Sequence, residues 1–353
     1  MNDSAGRIDF KNGVVEMAHG GGGKAMSRFI ETLFVQAFDN PSLNAMNDQA
    51  IISLTNANSK LGSALSYVMA TDSHVISPLF FPGGDIGCLS VHGTVNDVAM
   101  SGARPLYLSA SFILEEGYPL ADLKRIVDSM SNAAKNANIH IVTGDTKVVE
   151  RGKGDGVFIT TTGIGVIEDG HQRTPLDIQV GDKIIVSGTL GDHGIAVMSQ
   201  RENLKFETEI LSDTQSLHDL VETMIKNTPD IRCMRDPTRG GLSAVLNEIA
   251  HQAKVGIRLQ ENQLPILPQV NAACEFLGLD PLNVANEGKL VAFCPPDAAE
   301  QLLACMREHP KGLDAAIIGE VTEDENYLVQ MKTTFGGGRL VSWLSGEQLP
   351  RIC

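Results

Sequence analysis

GCLSVHGTVNDVAMSGARPLYLSASFIL, Gly87–Leu114, is the stretch that decides the fold. Its first half, Gly87 to Met100, is apolar and reads as a buried helix; Gly102 and Pro105 stop it, and Leu106 to Leu114 reads as a strand. A helix that turns straight into a strand is the building unit of a mixed α/β fold, and the flanking sequence repeats it. Pro119 opens the first turn of a long helix whose Leu120, Leu123, Ile126, Val127, Met130 and Ala134 recur every three or four residues. Ile139 to Val142 and Val157 to Val166 read as further strands. Upstream, Tyr67 to Ile76 reads as a strand broken by Thr71-Asp72-Ser73.

The pattern then pauses. Glu168 to Pro175 is polar and carries Gly170 and Pro175, which marks a domain boundary. Beyond it the alternation resumes with a strand at Lys183 to Ser187, helices from His193 and over Asp236 to His251, a strand at Leu290 to Phe293 and a helix at Asp297 to Glu308. At the other end, His19-Gly20-Gly21-Gly22-Gly23-Lys24 leads into Met26, Phe29, Ile30, Leu33 and Phe34, spaced as an amphipathic helix. The expected division is a polar extension at 1–16, two α/β domains at 17–170 and 171–338, and a tail at 339–353.

A chain of 353 residues with 42% hydrophobic content is long enough for two cores. Its formal net charge of −15 argues against nucleic acid or an anionic membrane as the main partner. The six cysteines form no C-x-x-C pair, which reads as reduced thiols in a cytoplasmic protein. No apolar run reaches the roughly 18 residues of a membrane span.

Four aspartates sit beside turn residues. They are Asp72, Asp97 in Asn96-Asp97, Asp145 in Gly144-Asp145-Thr146-Lys147, and Asp236 in Asp236-Pro237-Thr238-Arg239-Gly240-Gly241. Hard carboxylate oxygens are what Mg²⁺ requires, and a nucleotide site shares them between metal and phosphates. Singly, Asp72 also reads as a strand-end turn and Asp236 as a helix N-cap. There is no G-x-x-x-x-G-K-[ST], because Ala25 follows Lys24, so an ATP site here lies outside the P-loop class. Lys147 and Glu287 are candidates for charge stabilisation and proton abstraction, or else solvated surface charges. The chain ends in Leu349-Pro350-Arg351-Ile352-Cys353 after glycines at 336, 337 and 338. Pro350 favours an extended shape, so the end reads as a mobile strand carrying a thiol on a glycine hinge, or as a frayed terminus.

Together these segments resemble the HypE family of hydrogenase maturation factors, within the aminoimidazole ribonucleotide synthetase-like ATP-binding superfamily. The resemblance spans about residues 17 to 353. It rests on Ala18-His19-Gly20, Phe80-Phe81-Pro82-Gly83-Gly84, Asn96-Asp97-Val98-Ala99, Thr143 to Val149, Gly188 to Gly194, Asp236 to Gly241, Asn286-Glu287-Gly288-Lys289 and the terminal Pro350-Arg351-Ile352-Cys353. The last of these singles out the family. The resemblance implies a first domain that binds ATP and donates strands to a barrel at a homodimer interface. It also implies ATP-dependent dehydration of an S-carbamoyl group on Cys353 to a thiocyanate, which supplies the cyanide ligand of the [NiFe]-hydrogenase iron. The carbamoyl donor would be the carbamoyltransferase HypF, and the acceptor the iron held by HypC and HypD. By the same resemblance Asp72, Asp97, Asp145 and Asp236 would hold Mg²⁺. His19, Gly20, Gly21, Gly22, Lys24, Gly144, Asp145, Thr146, Asp236, Thr238, Arg239 and Gly240 would hold ATP, and Cys353, Glu287, Lys147 and Asp97 would carry the chemistry.

Two rivals follow from the same residues. A selenophosphate synthetase-like enzyme would have a reactive cysteine near the N-terminal glycines, whereas the first cysteine here is Cys88. A non-catalytic carrier would ferry a group on Cys353 without consuming ATP.

Overall fold

The computed structural model describes residues 17–353 except 22, 39–43, 45, 48, 54–65, 169–170, 205–208, 229, 345 and 347. The extension at 1–16, Gly22 and part of the expected domain boundary therefore lie outside the described residues. The chain opens with a 3-10 turn, Met17–Gly20, and helix α1 (Lys24–Phe29), which continues as a π-helix over Ile30–Val35. No side chain of α1 is buried, so the amphipathic pattern there is only partly used.

The first domain comprises β1 (Ala50–Ser53), β2 (Ser66–His74), a small hairpin of β3 (Phe80–Phe81) and β4 (Gly84–Asp85), α2 (Ile86–Met100), β5 (Arg104–Glu115), α3 (Leu120–Asn136), β6 (His140–Val149) and β7 (Val157–Ile167). The sheet order is β1-β2-β7-β5-β6, antiparallel except for β5 and β6. A parallel pair needs a long crossover, and α3 supplies it. Helix α2 starts sharply because Asp85 caps it, accepting from the N–H groups of Gly87 at 2.7 Å and Cys88 at 3.1 Å. It lies close against the sheet: a Cβ on Gly165 would come within 2.5 Å of Val98. The opposite face of the sheet is open, with Met69, Tyr107, Ile113 and Ile164 between 41% and 48% exposed.

Two expectations fail in this sheet. Thr71-Asp72-Ser73 does not break β2, because the Thr71 and Ser73 hydroxyls bond Thr162 and Thr160 across β7 at 2.9 and 2.8 Å. The strand expected to stop at Val142 runs on to Val149, so Asp145 and Lys147 lie within β6 and not beside a turn. Gly144 permits this continuation, since a Cβ there would meet the Ala110 carbonyl at 2.1 Å.

The second domain comprises β8 (Lys183–Val186), α4 (Asp192–Arg201), α5 (His218–Asn227), β9 (Cys233–Arg235), α6 (Gly241–Ala253), β10 (Gly256–Gln260), α7 (Pro268–Leu277), β11 (Val291–Cys294), α8 (Ala299–Glu308), β12 (Ala316–Thr322), β13 (Val329–Lys332) and β14 (Gly338–Leu340). Its sheet runs β14-β13-β10-β12-β8-β11-β9. Both faces are covered. Ile184, Val186 and Phe293 meet Leu242, Leu246 and Ile249 of α6, while Ile185 and Ala292 meet Leu220, Met224, Leu302 and Met306 of α5 and α8. Side chains alternate across a strand, so continuous apolar runs such as Ile184-Ile185-Val186 feed both cores.

The tail differs most from its reading. Gly336, at φ +86°, belongs to the tight loop between β13 and β14, closed by the Thr333 N–H on the Gly337 carbonyl at 2.8 Å, and is not a free hinge. The end of the chain is seated and not exposed: Leu349, Ile352 and Cys353 are 7%, 3% and 6% exposed. Leu349 and Ile352 pack with Ile195, Ala196, Val284 and Ala285, which gives the tail an apolar reason to dock.

Candidate active site

Three loops of the second domain are stapled together by Asn286. Its side chain donates to the Pro237 carbonyl at 3.0 Å and accepts from Gly191 N–H at 2.8 Å, so the Asp236–Gly241 loop and the Gly188–Gly194 turn are fixed against Asn286-Glu287-Gly288-Lys289. The alternative reading of Asp236 as a helix N-cap does not hold, because α6 begins at Gly241. Gly240 and Gly241 have φ of +76° and +62°, and a Cβ on Gly241 would strike the Leu282 and Val284 carbonyls at 2.5 and 2.6 Å. Only glycine fits that approach, and the loop before it is free to present Asp236 and Arg239.

From the first domain, β2 brings Asp72 to the same place. Asp72 lies 3.5 Å from the buried His74 and 3.7 Å from Arg239. Burial holds His74 below the usual imidazole range against the pull of Asp72. Arg239 is pushed up, first by negative charge at Cys353 and then by Asp72, Glu287 and Asp97, with burial opposing. Glu287 is 3% exposed and raised well above an ordinary carboxylate, first by burial and then by repulsion from Asp72, Asp213 and Asp236. Its Oε1 has no hydrogen-bond partner among the described residues. Cys353, Arg239, Asp72, Asp97, Asp236 and Glu287 thus share one electrostatic neighbourhood.

The tail enters this neighbourhood in its own chain. Val75 N–H donates to the Cys353 carbonyl and Ser77 N–H to the Arg351 carbonyl, both at 3.1 Å. His193 Nε2 lies 2.7 Å from the Ile352 carbonyl, and Nδ1 lies 2.7 Å from Ser212 Oγ. Burial lowers the His193 pKa, so the ring is neutral; a carbonyl only accepts, which puts the proton on Nε2 and makes Ser212 the donor to Nδ1. Arg351 donates through Nε to the Val75 carbonyl at 2.9 Å and pairs with Asp155.

The remaining expected residues are distributed unevenly. Gly21 lines one small cavity with Arg239, Gly240, Leu349 and Ile352, and Lys24 N–H donates to the Leu344 carbonyl at 2.9 Å, so the glycine run meets the tail. That cavity, about 10 Å³, is far below the several hundred Å³ of a small-molecule site, because the tail fills it. His19 stacks on Phe29 at 4.7 Å, and Gly20 ends the 3-10 turn. Thr238 helps to close its loop, its carbonyl accepting from Gly241 N–H at 2.9 Å. Asp145 and Lys147 are not brought to the others within one chain. They pair with each other at 2.7 Å on exposed β6, beside Gly144 and Thr146. Among the described residues no three His, Cys, Asp or Glu side chains form a ready metal cage.

Several site residues escaped the sequence reading. Lys289, 3.2 Å from Asp213 and 3.9 Å from Asp192, is the cation of a buried cluster whose Asp213 also accepts from Glu287 N–H at 3.0 Å. Lys289 and His193 stood inside motifs already quoted, whereas Asp213 and His74 carried no local signal.

The chain is similar to several known proteins. Residues 46–167 match the family model of the AIR synthase related protein N-terminal domain, and residues 179–332 that of its C-terminal domain. The chain is 60% identical to the carbamoyl dehydratase HypE of Azotobacter vinelandii over 347 residues, 98% of this chain and 99% of that one. It is similar to a crystal structure of hydrogenase maturation protein HypE in complex with ATP, with TM-score 0.79 and 48% identity over 96% of this chain and 100% of that one. A HypE-HypF complex structure matches with TM-score 0.83 and 48% identity over 90% of this chain and 99% of that chain.

Proposed function

This chain belongs to the HypE family of carbamoyl dehydratases, and on that premise we propose that it dehydrates an S-carbamoyl group on Cys353 to a thiocyanate at the expense of ATP, in hydrogenase maturation. The observation that carries the reading is the burial of the terminal cysteine near Arg239, the cation that Asp72 and Glu287 also face. A thiocarbamate oxygen is a poor leaving group. ATP phosphorylates it with loss of one N–H proton, releasing ADP, and loss of phosphate with the second N–H proton leaves S–C≡N. Glu287, buried and with a free carboxylate oxygen, is placed to take a proton, and Arg239 to offset charge on the transferring phosphoryl group. The tail plugs the site and excludes water from the phosphorylated intermediate.

The donor set suits a hard divalent cation, because Asp72 and Asp236 lie near enough to Glu287 to raise it after burial has done so, a gathering of carboxylates that a cation would relieve. Mg²⁺ would be held by Asp72, Asp97 and Asp236, which Asp145 could join only from a second copy of the chain, and would supply charge neutralisation to the ATP phosphates. Binding of ATP by His19, Gly20, Gly21, Gly22 and Lys24 requires the glycine run to draw back from Leu344 while the end of the tail stays seated. Asp97→Asn should lower ATP turnover at least about 100-fold, since an amide lacks the charge to hold the metal; turnover at the wild-type rate would contradict the carboxylate site.

The open face of the first sheet, with β6 exposed along its length, supports a homodimer in which those strands meet those of a second copy. Sedimentation at micromolar concentration should give a dimer, and a fully active monomer would refute it. HypF is the carbamoyl donor we assign, in keeping with the HypE-HypF complex, and iron held by HypC and HypD the cyanide acceptor. Of the division into 17–170, 171–338 and the tail 339–353, the first boundary is kept, and the second moves past β14, whose Gly338–Leu340 pair with β13. No described helix is long and apolar enough to cross a membrane, and none of the six cysteines is in a disulfide, which suits a cytoplasmic setting. The activity is tested by ATP turnover that appears only after HypF has carbamoylated the chain; turnover indifferent to carbamoylation would contradict it.

A further inference from the structure

Arg201 is the last residue of α4 and stands outside the carboxylate site, yet it makes more bonds to the tail than any motif residue does. Its Nε and Nη2 donate to the Ser77 carbonyl at 2.9 and 2.6 Å. The same guanidinium donates to the Pro350 carbonyl through Nη1 and to the Arg351 carbonyl through Nη2, both at 2.8 Å. Ser77 N–H meets the Arg351 carbonyl as well, so the fork ties the segment leaving β2 to the turn that ends the chain. Arg351 lies at φ +55°, a conformation that bulky side chains adopt at a cost, and its carbonyl is held from two sides. Only a planar group with several fixed donors bridges three carbonyls in this way; lysine has a single point of charge.

We infer that Arg201 is a positioning residue whose guanidinium holds the tail seated and so sets how Cys353 is shared between reaching a donor outside and reacting inside. This rests on the dehydratase reading for its consequence, while the seating itself is independent of it. A seated Cys353, 6% exposed, is closed to a transferase; a released one is open to it but is no longer near Arg239. Loosening the fork should therefore move the two half-reactions in opposite directions, which a general lesion in folding would not do.

The test uses the full-length protein with Arg201→Gln and Arg201→Lys. Alkylation of Cys353 by iodoacetamide is followed by mass spectrometry on the Gln348–Cys353 peptide, cleaved after Glu347. Losing charge-assisted hydrogen bonds of this kind should raise the alkylation rate about 10- to 100-fold in the glutamine variant, and less in the lysine variant. Carbamoylation by HypF should be as fast or faster, and single-turnover dehydration of the carbamoylated variant slower by a similar factor. Unchanged alkylation in both variants would overturn the inference, as would raised alkylation with dehydration at the wild-type rate. Should the glutamine variant not fold, the lysine variant is read alone by the same criteria. Because alkylation needs neither HypF nor ATP, a chain that made no thiocyanate would count against the dehydratase reading and leave the seating measurement standing.

Discussion

Cys353→Ala should accept no carbamoyl group and form no nitrile, while melting at nearly the wild-type temperature. The contact that seats this residue is made by its main-chain carbonyl, which accepts from Val75 N–H at 3.1 Å and is kept in alanine. The substitution removes a thiol and no other group. Loss should be complete because no other cysteine substitutes for it. Cys274 and Cys294 are buried, with burial pushing each thiol up to about 12, and Cys88 and Cys305 are raised as well, again by burial. A thiol held protonated is a poor nucleophile. Lengthening the chain by one residue after Cys353 should leave carbamoylation intact and slow dehydration on the order of 100-fold, since the buried end has no room for it and misplacement by an ångström has that effect. Mass spectrometry of the C-terminal peptide checks both variants, and carbamoyl mass elsewhere in the alanine variant would refute the assignment.

Glu287→Gln should slow dehydration of a previously carbamoylated chain by about 100- to 10,000-fold, the range for removing a positioned acid–base group, with carbamoylation by HypF unaffected. In the wild type the carboxyl is raised well above 4.5 by burial and by Asp72, Asp213 and Asp236. A base acts only when ionised, so the wild-type rate should climb with pH through that raised pKa, and the glutamine variant should lack the limb. Stability has the opposite sign. The folded state holds a proton that the unfolded state gives up near 4.5, so stability is present at low pH and is lost as pH rises through the folded pKa. Glutamine should flatten that slope. Single-turnover rates across a pH series decide the matter, and an unslowed Glu287→Gln would remove the residue from the chemistry.

The alternation of apolar helix and strand from Gly87 to Val166 was legible because burial leaves its own pattern: α2 and α3 lie within a residue or two of their expected limits. What sequence did not carry was pairing. Thr71-Asp72-Ser73 looks like a breaker until Thr160 and Thr162 stand opposite it, and β6 looks finished at Val142 until β5 runs beside it. Asp72, Asp97, Asp236 and Glu287 were legible as polar residues set against turns or apolar runs. Their convergence on Arg239 was not, since it depends on Asn286 stapling two distant loops. Proline and glycines made the tail look extended. Leu349 and Ile352, packed in the core with Cys353, together with main-chain oxygens taken up by Val75, Ser77, His193 and Arg201, are enough to seat its end.

The most direct measurement is the mass of the Gln348–Cys353 peptide from protein incubated with HypF and carbamoyl phosphate, taken before and after a further addition of ATP. The expected result is one carbamoyl group on Cys353 beforehand and that mass less one water afterwards. A modification on Cys88, Cys233, Cys274, Cys294 or Cys305 in place of Cys353, or a carbamoyl mass that ATP leaves unchanged, would contradict it.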